Sequence, residues 1–200
     1  KVHNFTYLGD VVQSEGGIEA SVRSRIRATW CKWKDIASIL MQKNIALSSR
    51  SQLFKSCVRP VLLYASETWP VTQTIVNLIR KTEMKMLRWM LHLRLTDRVS
   101  NDEILRRLNL EDISEALRKN RLRWFGHTER SKDPNIVTVK HLTVEGKLPR
   151  GRPKTTWFKT IEKDLEAKSL HQEDAQDRIR WRHSINRQTP NGNNDVKRDE

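Results

Sequence analysis

The chain has 200 residues, of which 36% are hydrophobic and 31% are charged, a composition that supports a folded core of ordinary size. Lysine and arginine together number 38 against 24 acidic residues, so the formal net charge is +14. This charge argues against a cationic or neutral partner and favours a polyanion, with nucleic acid as the first candidate.

Hydropathy and the cysteines exclude two further classes. The longest apolar run, Val61 to Ala65, is far shorter than the ~18 residues of a membrane span, so we expect no membrane partner. Cys31 and Cys57 are the only cysteines, and both fall on apolar helix faces, where packing is favoured over a disulfide or zinc. The chain opens at Lys1 directly in strand-like sequence, and we expect a fragment of a longer, intracellular protein.

The N-terminal segment and the first long helix have clear periodicities. The segment before residue 18 is rich in strand formers and has a turn at Gly9–Asp10, which predicts one short β-hairpin. The pattern then becomes helical, with apolar side chains three or four positions apart and basic side chains off the stripe. The stripe comprises Ile18, Val22, Ile26, Trp30, Trp33, Ala37 and Leu40.

Three more helices are predicted before residue 111. One begins at residues 48–49 and bends near Pro60, because proline lacks the amide hydrogen and its ring crowds the preceding turn. A basic, amphipathic helix begins near residue 73. The next begins at Ser100, which with Glu103 three residues later matches the reciprocal capping pattern.

The C-terminal half is less regular. A helix is predicted over Ile113–Phe125, with Gly126 as its stop. Residues 149–153 contain two prolines and a glycine and are predicted to form an exposed linker. Two short helices follow, the first beginning at Pro153, and the polar residues 188–200 are predicted to be a disordered tail.

These patterns predict a mainly α protein, with a short N-terminal β-hairpin followed by a helical bundle and a second small helical region. The predicted organisation is a hairpin at 1–17, a bundle at 18–95, a further helical region at 96–148, a basic linker with C-terminal helices at 149–187, and the tail at 188–200. The oligomeric state stays open.

Two basic segments are candidate nucleic-acid contacts. The first contributes Arg121, Arg123, Trp124 and His127. Its arginines can bind phosphates and its aromatic rings can stack on a base. Composition alone favours the alternative, in which Trp124 and Phe125 lie in the core and His127 caps the helix end. The second contributes Lys147, Arg150, Arg152 and Lys154. It is either a phosphate-binding arm or a solubilising linker.

No catalytic centre or metal site is predicted, and we expect no cofactor in this chain. Two-metal nucleotidyl transfer needs converging carboxylates, commonly an adjacent Asp pair between apolar strands, and no such pair occurs. The candidate carboxylates fall in helical or capping positions, where a cap or a solvated face is expected. They are Asp112, Asp164, Asp174 and Asp177.

Four segments occur in an order that resembles a known family. They are FTYLG at 5–9, VRPVLLYASETW at 58–69, RLRWFGH at 121–127, and GRPK at 151–154 with Trp157. In this order the chain resembles the non-LTR (LINE-like) retrotransposon endonuclease–reverse transcriptases. It lacks that family's polymerase Asp pair, fingers and endonuclease domain, so the resemblance covers the thumb and C-terminal region.

The resemblance implies roles for particular segments. Tyr7, Leu8 and Gly9 would belong to a primer-grip-like hairpin at the end of the palm, and 18–95 would be the thumb. The parent enzyme would be an RNA-directed DNA polymerase that needs Mg²⁺ at an active site outside this chain. The implied partners are RNA, DNA or both, together with the rest of the polymerase, in the nucleus.

Three hypotheses follow. The first is a non-catalytic fragment of a reverse transcriptase that binds template-primer or target nucleic acid, chiefly through phosphates. The second is a reused or degenerate helical module whose apolar faces dock a protein. The third is an independent enzyme in which His127 pairs with an acid from another helix.

Overall fold

The computed structural model describes residues 4–7, 10–13, 17–140 and 155–187. It opens with two antiparallel strands, β1 (Asn4–Tyr7) and β2 (Asp10–Gln13), in which Tyr7 pairs with Asp10. The predicted hairpin is confirmed, although Asp10 starts β2 instead of forming the turn. The Ser21 hydroxyl donates to the Val11 carbonyl (2.9 Å) and accepts from its amide (3.3 Å), which ties the hairpin to the first helix.

The predicted mainly α class is confirmed as well. The helices are α1 (Glu19–Leu40), α2 (Leu47–Leu53), α3 (Arg59–Leu62), α4 (Gln73–Met90), α5 (Asn101–Arg107), α6 (Ile113–Arg130), α7 (Pro134–Lys140), α8 (Trp157–Lys168) and α9 (Arg178–Asn186). Short 3-10 turns lie at Ser66–Thr68, Leu95–Asp97 and Gln172–Gln176, and a π-helical turn at Phe54–Val58 joins α2 to α3.

Two clusters of buried side chains hold together the N-terminal bundle, which we define as residues 19–110. The first comprises Trp33, Leu40, Phe54, Val58, Met84, Met86, Leu87, Met90, Ile104, Leu105, Leu108 and Leu110. The second comprises Val22, Leu62, Trp69, Ile75, Ile79, Ile113 and Leu117. The α1 stripe contributes to both clusters, as predicted. A domain boundary was predicted at residues 95–96. The core packing continues across it, because α5 contributes to the first cluster and the start of α6 to the second.

Side-chain caps start two of the bundle helices. The Thr72 hydroxyl accepts from the amide of Ile75 at the start of α4, and the Ser100 hydroxyl accepts from the amide of Glu103 at the start of α5. The Glu103 carboxylate instead binds Arg106 and Arg107, one turn later. The cap at Ser100 is therefore confirmed, while its carboxylate partner stabilises the end of the same helix.

The second predicted helix differs in two details. It begins at Leu47, before the predicted serines, because Leu47 packs on the first core cluster and joins the first turn. The interruption expected near Pro60 takes the form of the π-helical turn immediately before α3. A wider turn accommodates a proline, whose ring would otherwise clash with the carbonyl four residues earlier.

A buried ion pair joins α3 to α4. Glu83 is fully buried, and its Oε1 lies 3.0 Å from Nε of Arg59. Arg59 is also buried and donates through Nη2 to the Glu111 carbonyl. Burial outweighs the attraction of Arg59 and raises the pKa of Glu83 to about 7.

The C-terminal unit, which we define as residues 118–130 of α6 with α8, the 3-10 turn at 172–176 and α9, has its own core. Its buried members are Leu122, Phe125, Ile161, Ala175, Trp181 and Ile185. The prediction that Gly126 stops the helix was wrong, because α6 continues to Arg130. Gly126 provides space instead, since a Cβ there would lie 2.7 Å from Cδ1 of Trp181 and closer still to Nε1.

The predicted start of α8 and the predicted environment of Cys31 both differ from the structure. The helix expected from Pro153 begins at Trp157, where the Thr156 hydroxyl accepts from the amide of Lys159. Cys31 was expected on an apolar face but is exposed. The predicted linker at 149–153 and tail at 188–200 lie outside the described residues.

Candidate nucleic-acid interface

One stripe of α6 is polar, basic and exposed to solvent. Arg123, His127 and Arg130 are four and three positions apart, a spacing that aligns side chains on one face of a helix. Arg123 and His127 are exposed, and the imidazole of His127 lies against the indole of Trp124 with ring centroids 5.3 Å apart. α6 therefore presents cations beside an aromatic surface.

Helix α9 faces this stripe with two more arginines. Arg178 and Arg182 are one helical turn apart, are exposed, and make no ion pair with any described residue. With Arg123, Trp124, His127 and Arg130 they line a groove of about 930 Å³, which we call the α6–α9 groove. None of the described residues that line it is acidic.

The separation of the two helices is set by Trp181. Its indole lies over Gly126 and donates from Nε1 to the Leu122 carbonyl at 3.0 Å. Phe125 packs beside it, with ring centroids 6.1 Å apart. Arg130 also reaches across to donate to the Ala175 carbonyl. These contacts hold the floor of the groove, so its arginines project from a rigid support.

The structure corrects the predicted exposure of Arg121. Only 5% of its surface is exposed, and its Nε and Nη2 donate to the two carboxylate oxygens of Asp164 at 2.7 and 3.1 Å. Arg118 also donates to Asp164, at 3.3 Å. Arg121 therefore joins α6 to α8 from the interior and does not reach the groove.

The structure places the aromatic residues of the 121–127 segment in different environments. Phe125 is in the core, whereas Trp124 is 37% exposed and lines the groove. His127 does not cap a helix end, because α6 continues past it. The acid that the enzyme hypothesis requires beside His127 is missing from the described lining of the groove.

Of the remaining predicted site residues, the structure describes only Tyr7. Lys147, Arg150, Arg152 and Lys154 lie outside the described residues, as do Leu8 and Gly9. Tyr7 lies on β1, 62% exposed, with its ring 6.4 Å from that of Phe5. The N-terminal hairpin therefore carries an exposed aromatic surface that is separate in sequence from the α6–α9 groove.

Sequence reasoning missed Arg130, Arg178 and Arg182. The spacing of Arg178 and Arg182 was a usable signal, because two arginines four positions apart share a helix face. That signal is common on solvated helices, however. Only the packing of Trp181 on Gly126 brings the α9 pair opposite α6.

A second basic surface lies on α4. Lys85 lies over the rings of Trp30 and Trp89, at 5.5 and 5.3 Å, beside a cleft of about 1020 Å³. Arg80 and Arg88 also line this cleft, but both bind protein acceptors, Arg80 through Asp112 and Arg88 through the Val99 carbonyl and Asn101. An acid therefore neutralises one arginine of this cleft, Arg80, whereas the described lining of the α6–α9 groove contains no acid.

Three of the four candidate carboxylates have the predicted capping role: Asp112 caps α6, Asp177 caps α9, and Asp174 accepts from the His171 amide. Asp164 was expected in a cap or on a solvated face, but it is buried and binds Arg121. Burial raises the pKa of Asp112, but hydrogen bonds from Arg80 and Ser114 outweigh it and hold that pKa below its usual range. Within the described ranges, no three His, Cys, Asp or Glu side chains are grouped to hold a metal ion.

Among the helices that the structure describes, none is both long enough and apolar enough to cross a membrane.

Sequence comparison finds similarity to a transposon-derived protein. It is 26% identical over 208 aligned positions to an uncharacterized, transposon-derived protein of Caenorhabditis elegans, and the alignment covers 95% of this chain and 72% of the relative. No protein-family model matches the chain, and no solved structure matches it significantly. The similarity supports a transposon origin.

Proposed function

We propose that this chain binds nucleic acid through the α6–α9 groove, as a part of a retrotransposon reverse transcriptase that does not carry the catalytic centre. The observation that carries the proposal is the convergence of Arg123, Arg178 and Arg182, from two helices, on a groove whose described lining has no acid. A rigid cluster of guanidinium groups without acidic partners is matched by a chain of phosphates.

An arginine without an ion pair binds a phosphate at a lower free-energy cost than an arginine already paired with a carboxylate. Arg178 and Arg182 are exposed, so a phosphate can bind them without first displacing a carboxylate. Each phosphate that they neutralise releases condensed counterions from the nucleic acid, which makes the affinity depend steeply on salt. The net charge of +14 adds long-range attraction toward the same ligand.

Two observations support a reverse-transcriptase parent. The four segments named above occur in the order that resembles the non-LTR elements, and the related C. elegans protein is described as transposon-derived. Asp112 and Asp177 are occupied as caps and Asp164 in an ion pair, so polymerase chemistry would need carboxylates and Mg²⁺ supplied by another part of the enzyme. A nuclear location stays a prediction of this proposal.

A protein-docking function is the second candidate. It is favoured by the hairpin, where Phe5 and Tyr7 are 61% and 62% exposed and stacked on one another. A two-stranded hairpin with an exposed aromatic face gains stability by packing on further structure. The rest of the polymerase would be the expected partner, so this contact is compatible with nucleic-acid binding at the groove.

The test is fluorescence anisotropy of the 200-residue chain with single-stranded RNA, duplex DNA and an RNA–DNA hybrid over a salt series. We expect steep salt dependence, and the double variant Arg178→Ala/Arg182→Ala to weaken binding about 10-fold and reduce the salt slope by about 1 to 2. The matched control is Arg23→Ala/Arg27→Ala, which removes two exposed arginines at the same spacing from α1.

The control separates the groove from overall charge. Equal losses for both double variants would show that net charge, and not the groove, determines affinity. Absence of binding at low salt would exclude the proposal and leave the docking module. Salt-independent binding would also contradict it, because phosphate contacts require counterion release.

A further inference from the structure

An aromatic cleft adjoins the α6–α9 groove. It has a volume of about 390 Å³ and lies among α6, α7 and α8, with walls from Trp124, Ile136, Trp157 and Phe158. Phe158 is 45% exposed, and Trp124 is 37% exposed. We call this the Trp124–Phe158 cleft. Large apolar side chains that stay this exposed, grouped around a concave surface, are characteristic of binding sites.

Trp124 connects the cleft to the groove. Its side chain lines both cavities, so a ligand bound to the arginines of the groove lies next to the aromatic walls. The surface of the cleft is mostly apolar, and its polar lining residues are Thr68, Thr128, Asn135 and the acidic Glu129. Cations on one side of a tryptophan and apolar rings on the other correspond to the two parts of a nucleotide, its phosphate and its base.

We propose that the cleft receives an unpaired base of a single-stranded nucleic acid whose phosphates bind the α6–α9 groove. This inference rests on the proposed function and specifies its ligand. A base within a duplex is stacked on both faces and cannot enter a lateral cleft without unpairing, whereas a single strand turns a base outward at little cost. The cleft therefore selects single strands, and the arginines bind them without regard to sequence.

The aromatic side chains on one side of the cleft are held in place by core contacts, which favours a binding site for a base. Trp157 donates from Nε1 to the Glu67 carbonyl at 2.7 Å and packs on Phe125, with centroids 6.3 Å apart. Phe158 then stands edge-to-face on Trp157, at 5.2 Å and 77°. The ring of Phe158 is thus positioned by residues that are themselves held by the core, so a base that stacks there loses little entropy to protein ordering.

The experiment compares two ligands of equal charge. One is a fluorescein-labelled oligothymidylate of about 12 nucleotides, and the other is an oligomer of the same length in which every site is abasic. At one salt concentration we expect the chain to bind the base-bearing strand about 10-fold more tightly, because stacking contributes about 1–3 kcal/mol per base. Phe158→Ala should remove most of that preference without changing affinity for the abasic strand.

Three variants sharpen the result. Phe158→Tyr keeps an aromatic face and should retain the preference, whereas Phe158→Leu keeps only apolar bulk and should lose it. Phe5→Ala removes a phenylalanine that is 61% exposed, against 45% for Phe158, from the hairpin and should leave both affinities unchanged. Thermal unfolding of each variant checks that the fold is intact.

The outcomes separate the two proposals. Equal, salt-dependent affinity for both strands would overturn the base-binding cleft while leaving phosphate binding by the groove in place. A preference that survives Phe158→Ala would place the base elsewhere and also overturn it. Failure to bind either strand at low salt would exclude the proposed function and this inference together.

Discussion

Arginines of the N-terminal bundle and the C-terminal unit illustrate two different roles. In the bundle, Arg50 is buried and donates to the carbonyls of Leu40 and Met90, which joins the ends of three helices. In the C-terminal unit, Arg178 and Arg182 project into a groove without an ion pair in the described chain. A count of charges does not separate these roles, whereas the partners of each side chain do.

The same contrast occurs within α6. Arg121 is buried against Asp164, while Arg123, two residues later, is exposed in the groove. An α-helix turns about 100° per residue, so two positions place side chains on nearly opposite faces. One face of α6 therefore supports the C-terminal unit and the other is available to a ligand.

The largest expected effect tests this contrast directly. Arg121→Ala should lower the free energy of unfolding by about 3 kcal/mol, because it leaves the Asp164 carboxylate buried with only Arg118 nearby. Arg123→Ala should change stability by less than about 0.5 kcal/mol yet weaken nucleic-acid binding. Urea unfolding and anisotropy of both variants measure this. Equal stability losses would mean that the two faces are not distinct.

The buried Glu83 of the bundle should make the stability of the chain depend on pH. Because the folded pKa of Glu83 is about 7 and its usual value is 4.5, the unfolded state loses this proton first. Rising pH through that window then favours unfolding, by about 3 kcal/mol in total. Urea unfolding at several pH values should show this decline in the wild type and a flatter profile in Glu83→Gln. Parallel profiles would contradict the assignment to Glu83.

A substitution at Gly126 should affect the C-terminal unit through its packing. Alanine is the better helix former by about 1 kcal/mol, but its Cβ would overlap the buried Trp181 ring. We therefore expect Gly126→Ala to destabilise the chain by about 1–2 kcal/mol and to weaken nucleic-acid binding, because α9 is displaced. Ser38→Ala, at an exposed position of α1, serves as the control. A more stable Gly126→Ala variant would show that this contact does not set the groove.

The smallest effect compares helix caps in the two regions. Ser100 caps α5 in the bundle, and Asp177 caps α9 in the C-terminal unit by accepting from the amides of Ile179 and Arg180. Each replacement by alanine should cost about 1 kcal/mol. Since α6 contributes to the cores of both regions, we expect one cooperative transition that shifts similarly in both variants. Separate transitions would show that the two regions unfold independently.

Local features of the fold were predictable because they depend on neighbouring residues. The hairpin, the apolar stripe of α1 and the cap at Ser100 follow from side-chain alternation, helical period and a hydroxyl beside free amides. The candidate site was predictable in part. Arg123, Trp124 and His127 were named from the mixture of cations and aromatic rings, and the structure brings them together in one groove.

The sequence by itself determined a basic, mainly helical protein, because charge and helical period are properties of residues close together in the chain. Tertiary structure decided which basic residues are available to a ligand. Asp164 lies 43 positions along the chain from Arg121, with which it forms a buried ion pair. Trp181 packs against Gly126, and this contact places α9 opposite α6. Such contacts depend on how distant segments fill one core, and no local pattern specifies which partner a buried charge or a glycine will meet.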